Sequence, residues 1–415
     1  MIAARDPGGA GAIQRTAMVV GGSIGGLFAA NMLHRAGWDV QVFERVAGPL
    51  EGRGTGIVTH PELMVALQHA GVVVDDAIGI AVRERVTLAR DGSVLGRTEL
   101  PQILTAWARI YHLLRAALPG DRYHHGKQLE SFQQSDRRVV ATFADGSRAE
   151  ADLMVAADGI RSTVRQALLP RARPQYAGYI AWRGLVEESA LSDRALAEVF
   201  PYFAFGLPPR EQMIGYPVAG RHNAVEPGSR RFNFVWYRPA DEATTLLDML
   251  TDETGKVWPE GIPPPLIRAG ILQQARQAAR DVLAPQFAEL VEKTEGLFFQ
   301  PIFDLESPQM AFDRIALLGD SAFVARPHCG MGVTKAAGDA LALVQALTAD
   351  QDVPTALARY AQERTGFGSF IVDHARALGA YMQAQLRTEH ERQMAEAYRT
   401  PAVIMRETAV SPARP

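Results

Sequence analysis

Three glycine-containing segments of the chain carry residue types that suit the binding of a nucleotide-like cofactor. They are Gly21-Gly22-Ser23-Ile24-Gly25-Gly26, Asp158-Gly159, and Gly319-Asp320 with Gly330-Met331-Gly332 further along the chain. Glycine lets the backbone turn tightly against a pyrophosphate, whose charge is met by the N–H groups at the start of a helix. An aspartate at the end of a strand can hold a sugar hydroxyl. Together the three segments predict phosphate binding and sugar binding.

The first segment fits the dinucleotide-binding fingerprint with one departure. Ser23, a small side chain, stands where the second glycine of the fingerprint is expected. Glu44 follows at the distance expected of the acidic residue that accepts hydrogen bonds from a ribose. For this segment by itself, the alternative is a glycine-rich turn with a helix-capping serine. We predict a cofactor site that includes Gly21, Ser23, Ile24, Gly26, Glu44 and Arg45.

The surrounding sequence predicts elements that place these segments at strand ends. The apolar run 17–20 precedes the first segment, 27–36 has helical spacing, and 38–43 alternates like a strand. This order predicts a βαβ unit. The runs 153–157 and 314–318 are further strand candidates, and each leads into one of the other two segments.

Other regions predict a second sheet and carboxy-terminal helices. Asp91-Gly92 and Asp145-Gly146 are flanked by β-prone residues and predict antiparallel hairpins. Aromatic and β-branched residues are dense between 176 and 237, which predicts a sheet of several strands. Helical spacing occurs at 267–293 and again from 332 into the 390s.

Composition narrows the class of protein. Of 415 residues 47% are hydrophobic, and 43 Lys plus Arg stand against 46 Asp plus Glu, a formal net charge of −3. Nucleic acid or an anionic membrane as partner would require a basic excess, so we expect neither. No apolar run approaches the roughly 18 residues that span a bilayer. The single cysteine excludes an internal disulfide and a Cys-based metal site. We expect a cytoplasmic protein that binds no metal. Whether it forms a homodimer is left open.

The three segments, in this order and at this spacing, resemble the flavoprotein aromatic hydroxylases, the single-component FAD monooxygenases typified by 4-hydroxybenzoate hydroxylase. The resemblance implies that the first segment, with Glu44, binds the ADP part of FAD. It further implies that Asp158 lies near FAD and NAD(P)H and that Asp320 holds the ribityl chain. The other cofactor-binding residues that we expect on this basis are Gly56, Ile57, Gly319, Gly330, Met331 and Gly332.

A second set of strings resembles one subgroup of these enzymes, the 2,6-dihydroxypyridine 3-hydroxylases and their relatives, which act on hydroxylated pyridines. The strings are Gly54-Thr55-Gly56-Ile57-Val58, Tyr123-His124, Tyr176-Ala177-Gly178-Tyr179, Trp182-Arg183-Gly184, Asn233-Phe234, Trp236-Tyr237 and Arg326-Pro327-His328. The resemblance implies an FAD- and NAD(P)H-dependent monooxygenase that hydroxylates a small hydroxylated aromatic ring, a hydroxypyridine or related N-heteroaromatic. A phenolic substrate is the alternative within the family. A flavin-free NAD(P) dehydrogenase and a non-enzymatic flavin-binding protein are more remote alternatives.

The resemblance also implies the domain organisation. The expected fold class is α/β, with a Rossmann-like FAD-binding domain (βαβ with a parallel sheet) interleaved with a mainly antiparallel β-sheet substrate domain, plus C-terminal helices. The expected parts are the FAD-binding domain at 17–80, 106–175 and 301–345, the substrate domain at 81–105 and 176–300, C-terminal helices at 346–398, and tails at 1–16 and 399–415.

The mechanism that the resemblance implies needs a polar group beside the substrate ring. In the family NAD(P)H reduces FAD, O2 adds to give a C4a-hydroperoxide, and a ring carbon enriched by a hydroxyl attacks its terminal oxygen. His328 follows Pro327 in the loop expected at the flavin edge, and imidazole titrates at about pH 6.5. We therefore predict His328 as an acid, base or hydrogen-bond partner, and Pro327 as facing the oxygen reaction through its carbonyl. The alternative is a histidine that caps the next helix or packs the loop.

Four further residues are candidates for contact with the substrate ring. Tyr216 and Tyr202 lie on predicted strands of the aromatic-rich region and could hydrogen-bond a hydroxylated ring or stack on it. His60 and Trp182 are candidates for the same reason. The alternative for each is a place in the core, because aromatic residues at alternating spacing are usually buried there.

Overall fold

The computed structural model describes residues 14–50 and 56–413. Most of the predicted tail at 1–16, and the Gly54-Thr55 pair, lie outside the described residues. The described strands are β1 (Thr16–Val20), β2 (Asp39–Phe43), β3 (Gly56–Val58), β4 (Ile80–Leu88), β5 (Val94–Ala106), β6 (Tyr123–His124), β7 (Leu129–Gln134), β8 (Val139–Phe143), β9 (Arg148–Ala151), β10 (Leu153–Ala156), β11 (Gln175–Glu187), β12 (Phe203–Gly206), β13 (Gln212–Val218), β14 (Arg231–Pro239), β15 (Phe298–Glu306), β16 (Ala311–Phe312), β17 (Ile315–Leu317) and β18 (Phe323–Val324).

The helices fall between these strands and after the last of them. Among the described residues, none of these helices is long and apolar enough to cross a membrane. They are α1 (Ile24–Arg35), α2 (Pro61–His69), α3 (Trp107–Ala117), α4 (Thr163–Leu168), α5 (Asp193–Glu198), α6 (Leu247–Met249), α7 (Ala269–Val282), α8 (Pro285–Lys293), α9 (Gly332–Ala349), α10 (Val353–Gly379), α11 (Glu389–Ala397) and α12 (Pro401–Glu407).

A mostly parallel sheet carries the three glycine segments. Its order is β16-β17-β10-β1-β2-β6, and β1 pairs in parallel with β10 and β2, while β10 pairs in parallel with β17. The strands are apolar because both faces are covered, and Val19, Val42 and Val155 are fully buried. Helix α1 connects β1 to β2, so the predicted βαβ unit is confirmed. The carboxyl ends of β1, β10 and β17 share one edge of the sheet, where the three segments meet.

The second sheet is mainly antiparallel, as predicted. Its order is β18-β15-β11-β14-β13-β12-β4-β5-β3, and among these neighbours β12 and β4 pair in parallel. The two Asp-Gly hairpins are confirmed as β4-β5 and β8-β9. Strand β3 and the end of β15 belong to this sheet, although the sequence analysis assigned their residues to the FAD-binding domain. The domain boundaries therefore stay a prediction, whereas the α/β class is established.

The carboxy-terminal region is more ordered than the sequence predicts. Helices α9, α10 and α11 occupy the stretch where two or three helices are expected. The tail predicted at 399–415 contains α12, whose Ile404 and Met405 are buried. Arg85 of β4 donates a 2.6 Å hydrogen bond to the Met405 carbonyl. The prediction of a loose tail is therefore wrong for residues 399–413, because this segment buries apolar side chains and pairs its carbonyls.

A buried charge cluster joins the third glycine segment to the helices. The Asp339 carboxylate of α9 accepts hydrogen bonds from the Lys335 ammonium at 3.0 Å and from the Arg364 guanidinium of α10 at 2.8 Å. It also accepts the Gly319 N–H at 3.1 Å, while Lys335 donates to the Gly319 carbonyl at 3.1 Å. All three charged side chains are at most 3% exposed. The cluster therefore fixes the backbone that presents Asp320.

We expect Asp339→Asn to lower the apparent free energy of unfolding in urea by about 3–5 kcal/mol, because it leaves two buried cations without their carboxylate. Glu396→Gln is the matched control, since Glu396 pairs with Arg399 at the surface and is 69% exposed. The control should change the free energy by about 0.5 kcal/mol or less. If the two variants are equally stable, the cluster does not hold the fold together.

Candidate active site

One large cavity brings together residues from distant parts of the chain. Its volume is about 1260 Å³, which exceeds the roughly 300–1,000 Å³ of a pocket for one small ligand. The predicted site residues that line it are Arg45, Gly56, Ile57, Tyr216, Asp158, Asp320, Pro327, His328, Gly330 and Gly332. The cavity therefore has room for an extended cofactor together with a substrate.

The first glycine segment is a tight turn beside this cavity. Gly21 has φ 101°, and a Cβ on Gly26 would lie 1.9 Å from the Gly21 carbonyl oxygen. The Glu44 carboxylate accepts the N–H groups of Gly22 and Val46 at 2.9 Å each, so it is fixed at the end of β2. Such a close approach of turn and helix is what the fingerprint glycines allow.

The start of α1 settles two details of this segment. Ser23 occupies the N-cap of α1, but its hydroxyl makes no capping hydrogen bond, which contradicts the alternative of a capping serine. The Ile24 side chain is buried at the first turn of the helix. Ile24 can therefore reach a cofactor only through its backbone N–H group.

The second segment presents an aspartate oxygen without a partner. Asp158 Oδ2 accepts the Val164 N–H at 3.3 Å, whereas Oδ1 is buried and lacks a hydrogen-bond partner among the described residues. Burial raises the pKa of Asp158. Arg165 donates to the Ile160 carbonyl at 2.6 Å and to the Ser321 carbonyl at 3.1 Å. This guanidinium therefore holds the second and third segments together.

The third segment offers a carboxylate and a helix start to the cavity. Gly319 and Gly330 have φ 66° and 67°, which glycine adopts without strain. Asp320 opens towards the cavity, and α9 begins at Gly332 with its first N–H groups unpaired within the helix. Met331 packs its side chain into an apolar cluster, so only its backbone can meet a cofactor.

These features fit FAD. A buried carboxylate oxygen without a partner is costly unless a ligand supplies a donor, and Asp158 Oδ1 is such an oxygen. The helix starts after Gly21 and at Gly332 suit the pyrophosphate and other electron-rich edges. Glu44 and Asp320 carry the carboxylates that would accept hydrogen bonds from the ribose and ribityl hydroxyls. In the described residues no group of His, Cys, Asp and Glu side chains could hold a metal ion.

His328 is neutral, and both of its ring nitrogens are paired within the protein. Nδ1 lies 3.1 Å from Gln212 Oε1, and Nε2 lies 2.8 Å from the Tyr179 hydroxyl. An amide oxygen only accepts, so Nδ1 donates to Gln212 and Nε2 accepts from Tyr179. Burial, with the positive charges of Arg326 and Arg183, lowers the pKa of His328 to about 3. His328 is therefore not placed to exchange a proton directly with a substrate, and this predicted role is corrected to that of a hydrogen-bond partner within the wall.

Three of the predicted substrate residues lie off the cavity. Tyr202 precedes β12 and accepts a hydrogen bond from Arg97 at 3.0 Å, whereas its neighbour Phe203 lines the cavity. Trp182 packs into the core on the other face of β11. His60 bonds Thr334 at 2.9 Å behind Gly330. The prediction for Trp182 is wrong because successive residues of a strand point to opposite faces. The prediction for Tyr202 is wrong because its side chain packs against the same core cluster as Trp182. His60 lies on the far side of Gly330 from the cavity.

Two functional candidates were missed by the sequence analysis. Arg183 and Tyr237 line the cavity next to Tyr216. Each directly follows a buried tryptophan, Trp182 on β11 and Trp236 on β14. Side chains alternate between the two faces of a strand, so a residue next to a buried tryptophan points away from the core. The sequence could have identified Arg183 and Tyr237 in this way only if the face that meets the core had been known.

The fold and this cavity define a flavoprotein of the Rossmann-like type. Two family models match the chain, one described as an FAD binding domain at residues 14–203 and one described as FAD binding domain-like at residues 176–304. The two matches overlap at residues 176–203, and the first of them also includes β4, β5 and β11 of the second sheet.

Comparison with individual proteins places the chain more closely. It is 33% identical over 365 residues to 2,6-dihydroxypyridine 3-monooxygenase of Paenarthrobacter nicotinovorans, covering 88% of this chain and 91% of that relative. It is 27% identical over 363 residues to 6-hydroxynicotinate 3-monooxygenase of Bordetella bronchiseptica, with coverages of 83% and 86%. The solved structure of 2,6-dihydroxypyridine-3-hydroxylase from Arthrobacter nicotinovorans matches with a TM-score of 0.84 and 32% identity over 89% of this chain and 93% of that one. The chain belongs to the family of FAD-dependent aromatic monooxygenases.

Family membership decides between the functions that the sequence left open. The predictions of an FAD-dependent hydroxylase, with NAD(P)H and O2 as co-substrates, are confirmed. A flavin-free dehydrogenase and a non-enzymatic flavin-binding protein are wrong as alternatives.

We expect Gly26→Ala to weaken FAD binding at least about tenfold, a loss of about 1.4 kcal/mol, because the new Cβ would collide with the Gly21 carbonyl. Fluorescence titration of the apoprotein with FAD measures this. Gly366→Ala in α10 is the control, since its Cβ would have no neighbour within 4 Å. Equal FAD affinity for both variants would contradict the tight-turn assignment.

Proposed function

We propose that this monooxygenase hydroxylates a hydroxylated N-heteroaromatic ring that binds as its oxyanion, in the way that a hydroxypyridine would. The observation that carries the proposal is the position of Arg183 in the cavity wall beside Tyr216 and Tyr237. Two relatives whose names refer to hydroxylated pyridines support the ring class.

Arg183 brings a positive charge to the part of the wall formed by Tyr216 and Tyr237. Its guanidinium is the nearby positive charge that opposes the effect of burial on the pKa values of Tyr216 and Tyr237. The same charge would stabilise an oxyanion of the substrate in the cavity. Burial keeps both tyrosines neutral and raises the pKa of Tyr237 to about 12. Their hydroxyls can therefore donate hydrogen bonds to the ring oxygen or nitrogen.

The apolar part of the same wall would orient the ring. Phe203, Ile214 and Val235 line the cavity, and the rings of Phe203 and Tyr216 stack with centroids 5.0 Å apart. A Cβ on Gly56 would lie 2.4 Å from the Tyr216 ring, so the glycine admits this tyrosine beside β3. A flat aromatic substrate fits between such surfaces.

The chemical roles of the chain follow from this arrangement. Bound FAD supplies the redox chemistry that activates O2. Arg183 favours the deprotonated substrate, whose ring carbon is then the better nucleophile, and it needs no charged histidine to do so. His328 holds the Tyr179 hydroxyl and Gln212 in place. Pro327 lines the cavity, and its carbonyl accepts the Gly330 N–H at 2.9 Å. A substrate that fills this end of the cavity would displace water, which would limit wasteful release of hydrogen peroxide.

A stimulated-oxidation screen tests the substrate class. With FAD bound, we expect 2,6-dihydroxypyridine or a hydroxynicotinate to accelerate NAD(P)H oxidation and to gain one oxygen atom by mass spectrometry. 4-Hydroxybenzoate and salicylate serve as the phenolic comparison. Coupled hydroxylation of the phenols alone would replace the heteroaromatic proposal by the phenolic alternative.

We expect Arg183→Met to raise KM for the ring substrate at least about tenfold, equivalent to about 1.4 kcal/mol, because the oxyanion loses its counter-charge. The affinity for FAD should stay unchanged. Arg97→Met is the control, because Arg97 is 47% exposed and contacts Tyr202 away from the cavity. An unaltered KM in the Arg183 variant would show that the substrate binds without this charge.

A further inference from the structure

The segment that follows α11 is packed into the wall of the cavity. We define the C-terminal strap as residues 401–411, which comprise α12 and the turn after it. Ile404 and Met405 are buried on its inner face. Thr408 and Ala409 line the same cavity as His328. One face of the strap therefore covers the apolar core, and its end forms part of the active-site wall.

A buried cation holds the strap to the second sheet. Arg85 of β4 is fully buried, and its Nη1 donates to the carbonyls of Met405 and Thr408 at 2.6 Å each. The guanidinium lies 4.7 Å from the centre of the Phe203 ring. A buried cation is costly unless it is satisfied. Here Nη1 meets the carbonyls at the carboxyl end of α12, which carry negative partial charge, and Nη2 donates to Gln102 Oε1.

The end of the strap is fixed to the loop that carries His328. The Ala409 N–H donates to the His328 carbonyl at 2.7 Å, and the Ala409 carbonyl accepts from Gln102 Nε2 at 2.8 Å. Ala409 has φ 56°, a left-handed conformation that costs alanine about 1 kcal/mol. The surrounding contacts must therefore hold Ala409 in this conformation. A Cβ on Gly330 would lie 3.2 Å from Ala409 Cα, so the loop and the strap touch.

We propose that the C-terminal strap is a positioning element of the active site, which fixes the His328 loop and closes the cavity against water. Arg85 is the positioning residue that anchors it. The His328 carbonyl is bound to the strap while the imidazole orders Tyr179 and Gln212. Displacement of the strap would therefore disturb both the backbone of His328 and the hydrogen bonds of its imidazole.

The consequence for turnover is a loss of coupling. Without productive transfer to the ring, NAD(P)H, a proton and O2 give NAD(P)+ and hydrogen peroxide, and water entry favours this outcome. The proposal rests on the proposed substrate end of the cavity. It does not depend on which ring binds there, so it is tested with whichever aromatic compound the screen shows to be hydroxylated.

Arg85→Met in the full-length, FAD-loaded protein tests the anchor, because methionine keeps apolar bulk and removes the donors. We expect backbone amides of the strap to exchange with deuterium about tenfold faster or more. We also expect the hydrogen peroxide formed per NAD(P)H oxidised to rise about threefold or more. Arg406→Ala is the control, since Arg406 lies on the outer face of α12 and is 65% exposed. The amide exchange of the strap and the coupling of turnover in the Arg406 variant should match those of the unaltered protein.

A second variant keeps the proposal testable if Arg85→Met does not fold. Ala409→Pro removes the N–H that binds the His328 carbonyl and cannot adopt a positive φ. Ala409→Gly keeps that N–H and accepts the conformation. We expect the proline variant to be less coupled than the glycine variant and to exchange faster in the Pro327–Cys329 turn. Equal coupling of the two variants would overturn the proposal.

The exchange measurement separates this proposal from the substrate proposal. Protection of the strap is measured without substrate, so failure of the heteroaromatic assignment leaves it unaffected. Faster exchange in Arg85→Met with unchanged coupling would show that the strap is anchored by Arg85 but is not part of the active site. Unchanged exchange would show that Arg85 does not hold it. Either result contradicts the proposal.

Discussion

Parallel pairing of β1, β10 and β17 is the constraint on which the rest of the structure depends. It brings the chain to one edge of the sheet three times, at Gly21, Asp158 and Gly319, although these residues are far apart in sequence. Arg165 ties the second turn to the third through backbone carbonyls, and Asp339 fixes the third to α9 and α10. The cofactor site is thus held by buried charges that bind backbone and not by loop packing alone.

The two ends of the cavity differ in their electrostatics. The predicted cofactor end offers carboxylates and helix starts, which would meet the hydroxyls and phosphates of FAD. At the other end, burial keeps Tyr216, Tyr237 and His328 neutral, and Arg183 supplies positive charge. A histidine in a reactive loop suggests acid–base chemistry, yet burial next to cations removes its basicity. This end is therefore suited to stabilise an anionic ring rather than to shuttle protons through imidazole.

Two buried arginines of this fold have different kinds of partner for their positive charge. Arg364 pairs with a carboxylate within the helical layer, whereas Arg85 donates to carbonyls of the C-terminal strap and lies against an aromatic face. The first arrangement holds α9 and α10 against the third glycine segment. The second holds the C-terminal strap over the substrate end. Residues from both sheets and from the C-terminal strap therefore line one cavity.

The sequence by itself determined the α/β class, the βαβ unit, the hairpins and the cofactor segments, since all depend on local spacing: an apolar strand, glycines at a turn, an acidic residue after the next strand. It also identified the family from those motifs. Only the tertiary structure decided which face of each strand meets the cavity, and hence that Arg183 lines it while Trp182 does not. It likewise decided that His328 is paired on both nitrogens and that the C-terminal strap is ordered. These outcomes depend on contacts between residues that are distant in sequence. A local sequence pattern does not encode the burial and the hydrogen bonds that result from such contacts.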